Sequence, residues 1–322
     1  MTPAESTPRL EDPLDQSKIH HVDVDGVRTR FYEEGAGEAL VLLHGGDIGT
    51  IDSLDSWSLN LKGLAEHFHV YALDKLGAGH TGTPRSDKGF TYEAIVRHTA
   101  KWLDVVGVRE AHLVGHSRGG LLAASLALSI PNLAKTTVIV NSASLAPDHP
   151  DPRLRSGTFY ADIERRTPLG LPTGESVRIE PEANSHSTVH VTDEFIRRRL
   201  EIGLLPSQRD AVTRMRGGLN QEFYMPSMAK ARMETLRAID ERGLPSRTLV
   251  VWSLDDRSAP LADVGIKLYE RICAKTRHAE MHVFNAAAHY TYREHPGAFN
   301  RVIQSFCLGE GVGSRVAMSA KA

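Results

Sequence analysis

Between residues 21 and 32 polar and apolar side chains alternate on either side of Asp25-Gly26, the pattern of two half-exposed strands joined by a tight hairpin turn. The run 39–43 is continuously apolar and ends in His44-Gly45-Gly46, as expected of a strand buried on both faces that gives way to a glycine-rich loop. Short apolar stretches at 69–73, 111–114, 136–140, 248–252 and 280–284 repeat the strand signal, and helical periodicity covers 56–68, 92–106, 119–130, 261–274 and 296–306. Strands alternating with helices predict an α/β fold, a mostly parallel sheet covered by helices on both faces.

The alternation stops after Ser142 and resumes near Ser246. Turn chemistry opens the gap at 146–150, and 193–205 and 225–242 inside it carry helical periodicity. The expected organisation is a core made of 21–145 and 246–310, with an inserted helical cap at 146–245. A mobile leader rich in Pro and charge is expected at 1–20, and a flexible tail at 311–322.

Within the insertion, Phe195, Ile196, Arg199 and Leu200 share one stripe of a predicted helix. Successive helical residues lie about 100° apart, so Arg197 and Arg198 are expected in water while Arg199 points inward. An inward arginine is either a snorkelling or internally salt-bridged side chain or a receiver for an anionic substrate group. Phe159, Tyr160, Phe223, Tyr224, Met225 and Met228 make an apolar cap plausible, although core packing explains such residues as readily as ligand contact.

Composition narrows the function classes. The 322 residues carry 38 Lys+Arg against 40 Asp+Glu, a net charge of −2, which argues against the basic footprint of a nucleic-acid binder. No apolar run approaches the roughly 20 residues of a membrane helix, and the 16 histidines are scattered without a metal-ligand spacing. Two cysteines, Cys273 and Cys307, form no disulfide framework, so a reducing, cytoplasmic setting is the simpler expectation.

The chemistry concentrates at three strand ends. Gly115-His116-Ser117-Arg118-Gly119 is a G-x-S-x-G motif between a predicted strand and a predicted helix. There the sharp turn presents Ser117, and the Arg118 N–H opens the helix toward developing negative charge. A serine hydroxyl needs a base, itself oriented by an acid. Asp255 and Asp256 follow one later strand and His289 follows the last, giving the order Ser, Asp, His. His44-Gly45-Gly46 supplies a second backbone donor for an oxyanion hole, assigned to Gly46. A phosphate loop is the competing explanation, but neither G-x-G-x-x-G nor a G-K-[ST] ending occurs at this loop.

With these residues in place the chain resembles the α/β-hydrolase superfamily over residues 21 to 309, and within it the meta-cleavage-product hydrolases, which split carbon–carbon bonds in ring-opened aromatic catabolites. The likeness rests on Leu43-His44-Gly45-Gly46, on Trp57-Ser58, on the run 194–201, on Asp255-Asp256-Arg257 and on 289–300, HYTYREHPGAFN. It implies that Asp256, four residues before Pro260, is the triad acid, and that Arg199 binds the carboxylate of a small anionic substrate. It further implies that Gly45, His116 and Tyr290 lie against that substrate, that no metal or organic cofactor is needed, and that homo-oligomers are common. Several positions depart from the family pattern: His116 stands where Asn is frequent and Arg118 where Met or Phe is. Asp47 replaces a third glycine, Ala288 replaces Gly, and Tyr290 replaces Trp.

The resemblance implies a hydrolase of carbon–carbon bonds in ketonic substrates, acting on a 2-hydroxy-6-oxo-dienoate. The same triad suits a carboxylesterase or lactonase, and a ligand receptor on a hydrolase scaffold is the alternative of another class. Dehalogenases and epoxide hydrolases of this fold use an Asp nucleophile, which Ser117 replaces.

Overall fold

The structure is a computed structural model and describes residues 10–146, 157–168 and 170–309. The start of the expected leader (1–9), the turn chemistry at 147–150 and the tail at 311–322 lie outside the described residues. β1 (Ile19–Val24) and β2 (Val27–Gly35) form the hairpin. Asp25 and Gly26 take φ of 51° and 77° at its turn, the left-handed pair that a two-residue connection of this twist requires.

The core continues through β3 (Ala39–Leu43), α1 (Ser58–Ala65), β4 (His69–Leu73), α2 (Tyr92–Val105), β5 (Ala111–His116), α3 (Arg118–Ser129) and β6 (Ala134–Val140). Next come α4 (Gly157–Arg166), α5 (Gly174–Ala183), α6 (Asp193–Leu204), α7 (Pro206–Arg214) and α8 (Met225–Arg242), with a π-helical stretch, Met215–Tyr224, joining the last two. The core resumes with β7 (Arg247–Ser253), α9 (Ile266–Cys273), β8 (Ala279–Phe284), α10 (Thr291–Glu294) and α11 (Pro296–Leu308).

The described strands make one sheet in the order β1-β2-β4-β3-β5-β6-β7-β8. The β1/β2 and β2/β4 pairs are antiparallel and all other neighbours are parallel. The pleat divides the apolar strand residues between two cores. Val41, Leu43, Leu73, Leu113 and Ile139 pack with Trp102 of α2, Leu122 of α3 and Leu268 of α9. Leu40, Leu42, Val70, Val114 and Val138 pack with Leu61 of α1 and Ile303 of α11. Such double-sided burial explains why these strands read as continuous apolar runs. The C-terminal ends of β3, β5, β7 and β8 come together at one edge, where open α/β sheets build their sites.

Two expectations are corrected. Residues 10–20 do not run free as part of a leader: β1 begins at Ile19, and the Asp12 carboxylate is buried beneath α6. It accepts hydrogen bonds from Arg293 Nη2 at 2.6 Å, from Thr192 Oγ1 at 2.9 Å and from Ser58 Oγ, and pairs with Arg198 Nη2 at 3.0 Å. Arg198 is therefore buried, not in water; helix geometry alone missed the carboxylate that another part of the chain brings to that face. Arg197 is exposed as expected, held by Glu194 and Glu201. Among the described residues no helix is long and apolar enough to cross a membrane.

Candidate active site

Ser117 sits between β5 and α3 with φ 53° and ψ −120°, a strained conformation for a non-glycine residue that persists only where its surroundings impose it. The glycines on either side make that turn possible. A Cβ at Gly119 would collide with the Leu43 carbonyl oxygen, and one at Gly115 with the Gly119 carbonyl oxygen. Ser117 N–H donates to the Val140 carbonyl at 2.9 Å and its own carbonyl accepts from Ser142 Oγ at 2.6 Å. Arg118 is the first residue of α3, so its N–H is one of the donors a helix start leaves without an intrahelical partner.

The loop after β3 is fixed from behind. His44 Nε2 accepts from the Lys75 N–H at 3.1 Å, so its Nδ1 carries the proton and donates to the Gly45 carbonyl at 2.6 Å. Burial, with Lys75 nearby, holds this imidazole neutral, its pKa lowered to about 4. In a trans peptide the N–H points opposite to the carbonyl, so the Gly46 N–H is directed away from His44. Lys75 Nζ donates to the Gly46 carbonyl at 2.7 Å. Gly46 itself has φ 72°, and a Cβ there would strike Asp52 and Thr50.

His289 and Asp256 meet at the ends of β8 and β7, Nδ1 to Oδ2 at 2.8 Å, both buried. Asn141 Nδ2 donates to Asp256 Oδ2 at 2.7 Å, and the Ser258 and Ala259 N–H groups donate to Oδ1 at 2.9 and 2.8 Å. Asp255, the neighbouring carboxylate, is instead paired with His186 at 2.8 Å. Burial opposes charge on His289, but Asp256, with Glu180 and Asp52 behind it, outweighs burial and holds the imidazole pKa above its ordinary value. Among the described residues no hydrogen bond joins Ser117 to His289; such bonds are often long before substrate binds.

Ser117, His289, Gly45, Gly46, His116, Arg118, Arg199 and Tyr290 all line one cavity of about 1320 Å³. Tyr160, Met225 and Met228 of the expected apolar set line it as well, while Tyr224 is buried against Asp47. His116 Nε2 lies 2.9 Å from the His289 carbonyl and its ring centroid 4.5 Å from that of His289. Since a carbonyl only accepts, Nε2 must carry the proton, and burial keeps the ring neutral, far below the usual imidazole range. Tyr290 donates its hydroxyl to Glu180 at 2.5 Å.

Arg199 points inward, and sequence reasoning missed its partner. Its Nη1 donates to Asp52 at 2.9 Å and its Nη2 lies 3.7 Å from Glu180. The salt-bridged alternative is thus the arrangement seen, with Asp52 held by Arg199, against its burial, below the usual carboxylate range. The Nε of Arg199 is buried without a hydrogen-bond partner, and 3.7 Å to Glu180 is beyond hydrogen-bond distance. One edge of the guanidinium fork is therefore unspent. Asp52 sits on an irregular loop where no periodicity marks it. Asn184 was likewise missed: its carbonyl accepts the His289 N–H at 3.0 Å and its Nδ2 reaches Ser258 Oγ at 3.2 Å.

Residues 38–296 match the alpha/beta hydrolase fold family. The chain is 26% identical over 284 residues to a 2-hydroxymuconate semialdehyde hydrolase of Pseudomonas sp. strain CF600, covering 87% of this chain and 90% of the relative. It is 28% identical over 290 residues to a 2-hydroxy-6-oxo-6-(2'-aminophenyl)hexa-2,4-dienoic acid hydrolase of Metapseudomonas resinovorans, covering 88% and 89%. Among solved structures, a meta-cleavage product hydrolase of Pseudomonas fluorescens complexed with acetates superposes with a TM-score of 0.70 at 24% identity, over 92% of this chain and 100% of that one.

Proposed function

Because the chain belongs to the alpha/beta hydrolase fold family, we propose that it is a serine hydrolase that splits a carbon–carbon bond in a 2-hydroxy-6-oxo-dienoate, a reaction of aromatic catabolism. The observation that carries this reading is Arg199, which lines the same cavity as Ser117 and His289 and whose Nη2 makes no hydrogen bond among the described residues. A planar carboxylate fits a guanidinium edge. Related hydrolases named for dienoate substrates, such as that of Metapseudomonas resinovorans, support the same chemistry.

The substrate carboxylate binds Arg199, and ketonisation of the dienol creates an electron sink beyond the bond to be broken. His289, its Nδ1–H donated to Asp256, accepts the Ser117 proton at Nε2 as Oγ adds to the C6 carbonyl. The Gly46 and Arg118 N–H groups receive the oxyanion. The C5–C6 bond then breaks, its electron pair passing into the keto acid portion and a proton restoring the 2-hydroxydienoate. Water, activated by His289, hydrolyses the acyl-serine to a carboxylic acid. In this reading the helices between β6 and β7 act as the cap that shapes the pocket, while Gly45, His116 and Tyr290 form its wall.

Ester or lactone hydrolysis is the second reading, favoured by the Asp52 carboxylate that already offsets the Arg199 charge. Loss of dienoate absorbance, measured against p-nitrophenyl ester hydrolysis, separates them: the dienoate is expected to be consumed faster. Turnover should fall by about three orders of magnitude or more in Ser117→Ala. Rapid ester hydrolysis with no dienoate consumed across a panel of tails overturns the carbon–carbon assignment.

A further inference from the structure

The cavity holds a second arginine whose side chain the reaction above leaves unused. Arg118 contributes its N–H to the proposed oxyanion hole, yet the residue also lines the cavity and 28% of its side chain is exposed. Its Nε meets Asp47 at 2.9 Å, and its Nη1 lies 2.7 Å from Met228 Sδ. A thioether is a weak acceptor, and Nη2 makes no hydrogen bond among the described residues. Asp47 is further engaged by the Tyr224 hydroxyl.

Among the described residues the Arg118 and Arg199 clusters share no hydrogen-bond or ion-pair partner. Arg199 is held by Asp52 and by Glu180 of α5, whereas Arg118 is held by Asp47 and by Met228 of α8. Arg209 of α7 and Arg216 of the π-helical stretch also line the cavity and carry no ion pair among the described residues. An apolar acyl tail laid against Arg118 would strip water from a charge whose donors are only partly satisfied, which is costly. A carboxylate there would instead complete them.

Resting on the proposed function, we infer that the acyl portion of the substrate, the part left on Ser117, ends in a carboxylate received by Arg118, so that the substrate carries an anionic group at both ends. Arg118 is then the residue that sets acyl specificity, in addition to the backbone donor at its own N–H.

Two measurements test this without relying on carbon–carbon cleavage. The first is kcat/KM for p-nitrophenyl esters of glutarate, as the hemiester, and of butyrate. The second is calorimetric titration of Ser117→Ala protein with glutarate and with butyrate. The expected result is a preference for glutaryl over butyryl of about tenfold or more in both. Within each variant the ratio is compared, so a general loss of activity cancels. It should fall toward unity in Arg118→Met, recover in part in Arg118→Lys, and survive in Arg199→Met. Equal handling of glutarate and butyrate by the otherwise unaltered protein overturns the inference, as does a preference lost in Arg199→Met and kept in Arg118→Met. If dienoates go unprocessed while the glutaryl preference behaves as expected, the carbon–carbon reading fails and the role of Arg118 stands.

Discussion

Replacing Asp12 by Asn removes the charge on which two buried arginines converge. Asp12 and Arg293 have fully buried side chains, and the contact between them is 2.6 Å. Arg198 retains Glu194 at 3.1 Å when Asp12 is neutralised, but Arg293 has no other carboxylate within ion-pair distance among the described residues. The new amide would also point donors at donors, because Asp12 accepts from Arg293, Thr192 and Ser58. Breaking a buried pair by removing one partner costs about 3–5 kcal/mol. For a domain of this size about 2 °C of melting temperature is lost per kcal/mol, so Asp12→Asn should melt roughly 6–10 °C below the parent. Differential scanning calorimetry at neutral pH reads the change, with Glu194→Gln on the exposed side of α6 as the control expected to stay within about 1 kcal/mol. Burial opposes the charge on Asp12, but Arg293 and Arg198 outweigh it and hold its pKa below the ordinary carboxylate value. Its stabilisation is therefore present above about pH 4 and is lost as pH falls through the folded-state pKa. The gap between parent and variant should close in that acidic range. A variant melting within about 2 °C of the parent at neutral pH would refute the reasoning.

Other outcomes follow from the site. With its pKa raised above the imidazole norm, His289 must lose its proton to act as the proposed base. The acid limb of kcat/KM should therefore lie above about pH 6.5. Asp256→Asn should move that limb downward and lower kcat by about 10³–10⁴; an unmoved limb would assign it to another group. Asp52→Asn removes the charge closest to Arg199 and should lower KM for a dienoate, while Arg199→Ala should raise it and leave a neutral ester little changed. Equal losses on both substrates in Arg199→Ala would exclude the carboxylate-binding role.

The parts of this molecule that could be read from its residues are those with local causes. The Gly115 to Gly119 turn has sterics that only its own glycines satisfy, and β3 through β7 announce themselves by burial on both faces. Distant partners left no such trace. Asp12 lies 186 residues from Arg198, so nothing near either residue tells that they pair. Lys75, to which no pattern drew attention, is buried with its ammonium on the Gly46 carbonyl. α5 was missed because Pro181 lies within it, and proline ordinarily marks the end of a helix. At the site, residue identity pointed to the proposed nucleophile, acid and base, whereas the charge balance around Arg199 depended on Asp52 and Glu180, which come from an irregular loop and an unforeseen helix.

The contact between Asn184 and His289 has a consequence for how this protein changes over evolutionary time. The helices between β6 and β7 are joined to the proposed base through a backbone hydrogen bond, and to the Asp256 loop through Ser258. Glu294 adds a second tie, accepting from the His186 and Ser187 N–H groups between α5 and α6 and from the Ala288 N–H beside His289. A segment attached this way is a poor candidate for exchange as a module. A graft that brought a new pocket ceiling without an equivalent of Asn184 would leave the His289 N–H buried and unpaired. New specificities on this framework should therefore arise by substitution along α7 and α8, away from that junction, more readily than by replacement of the whole segment.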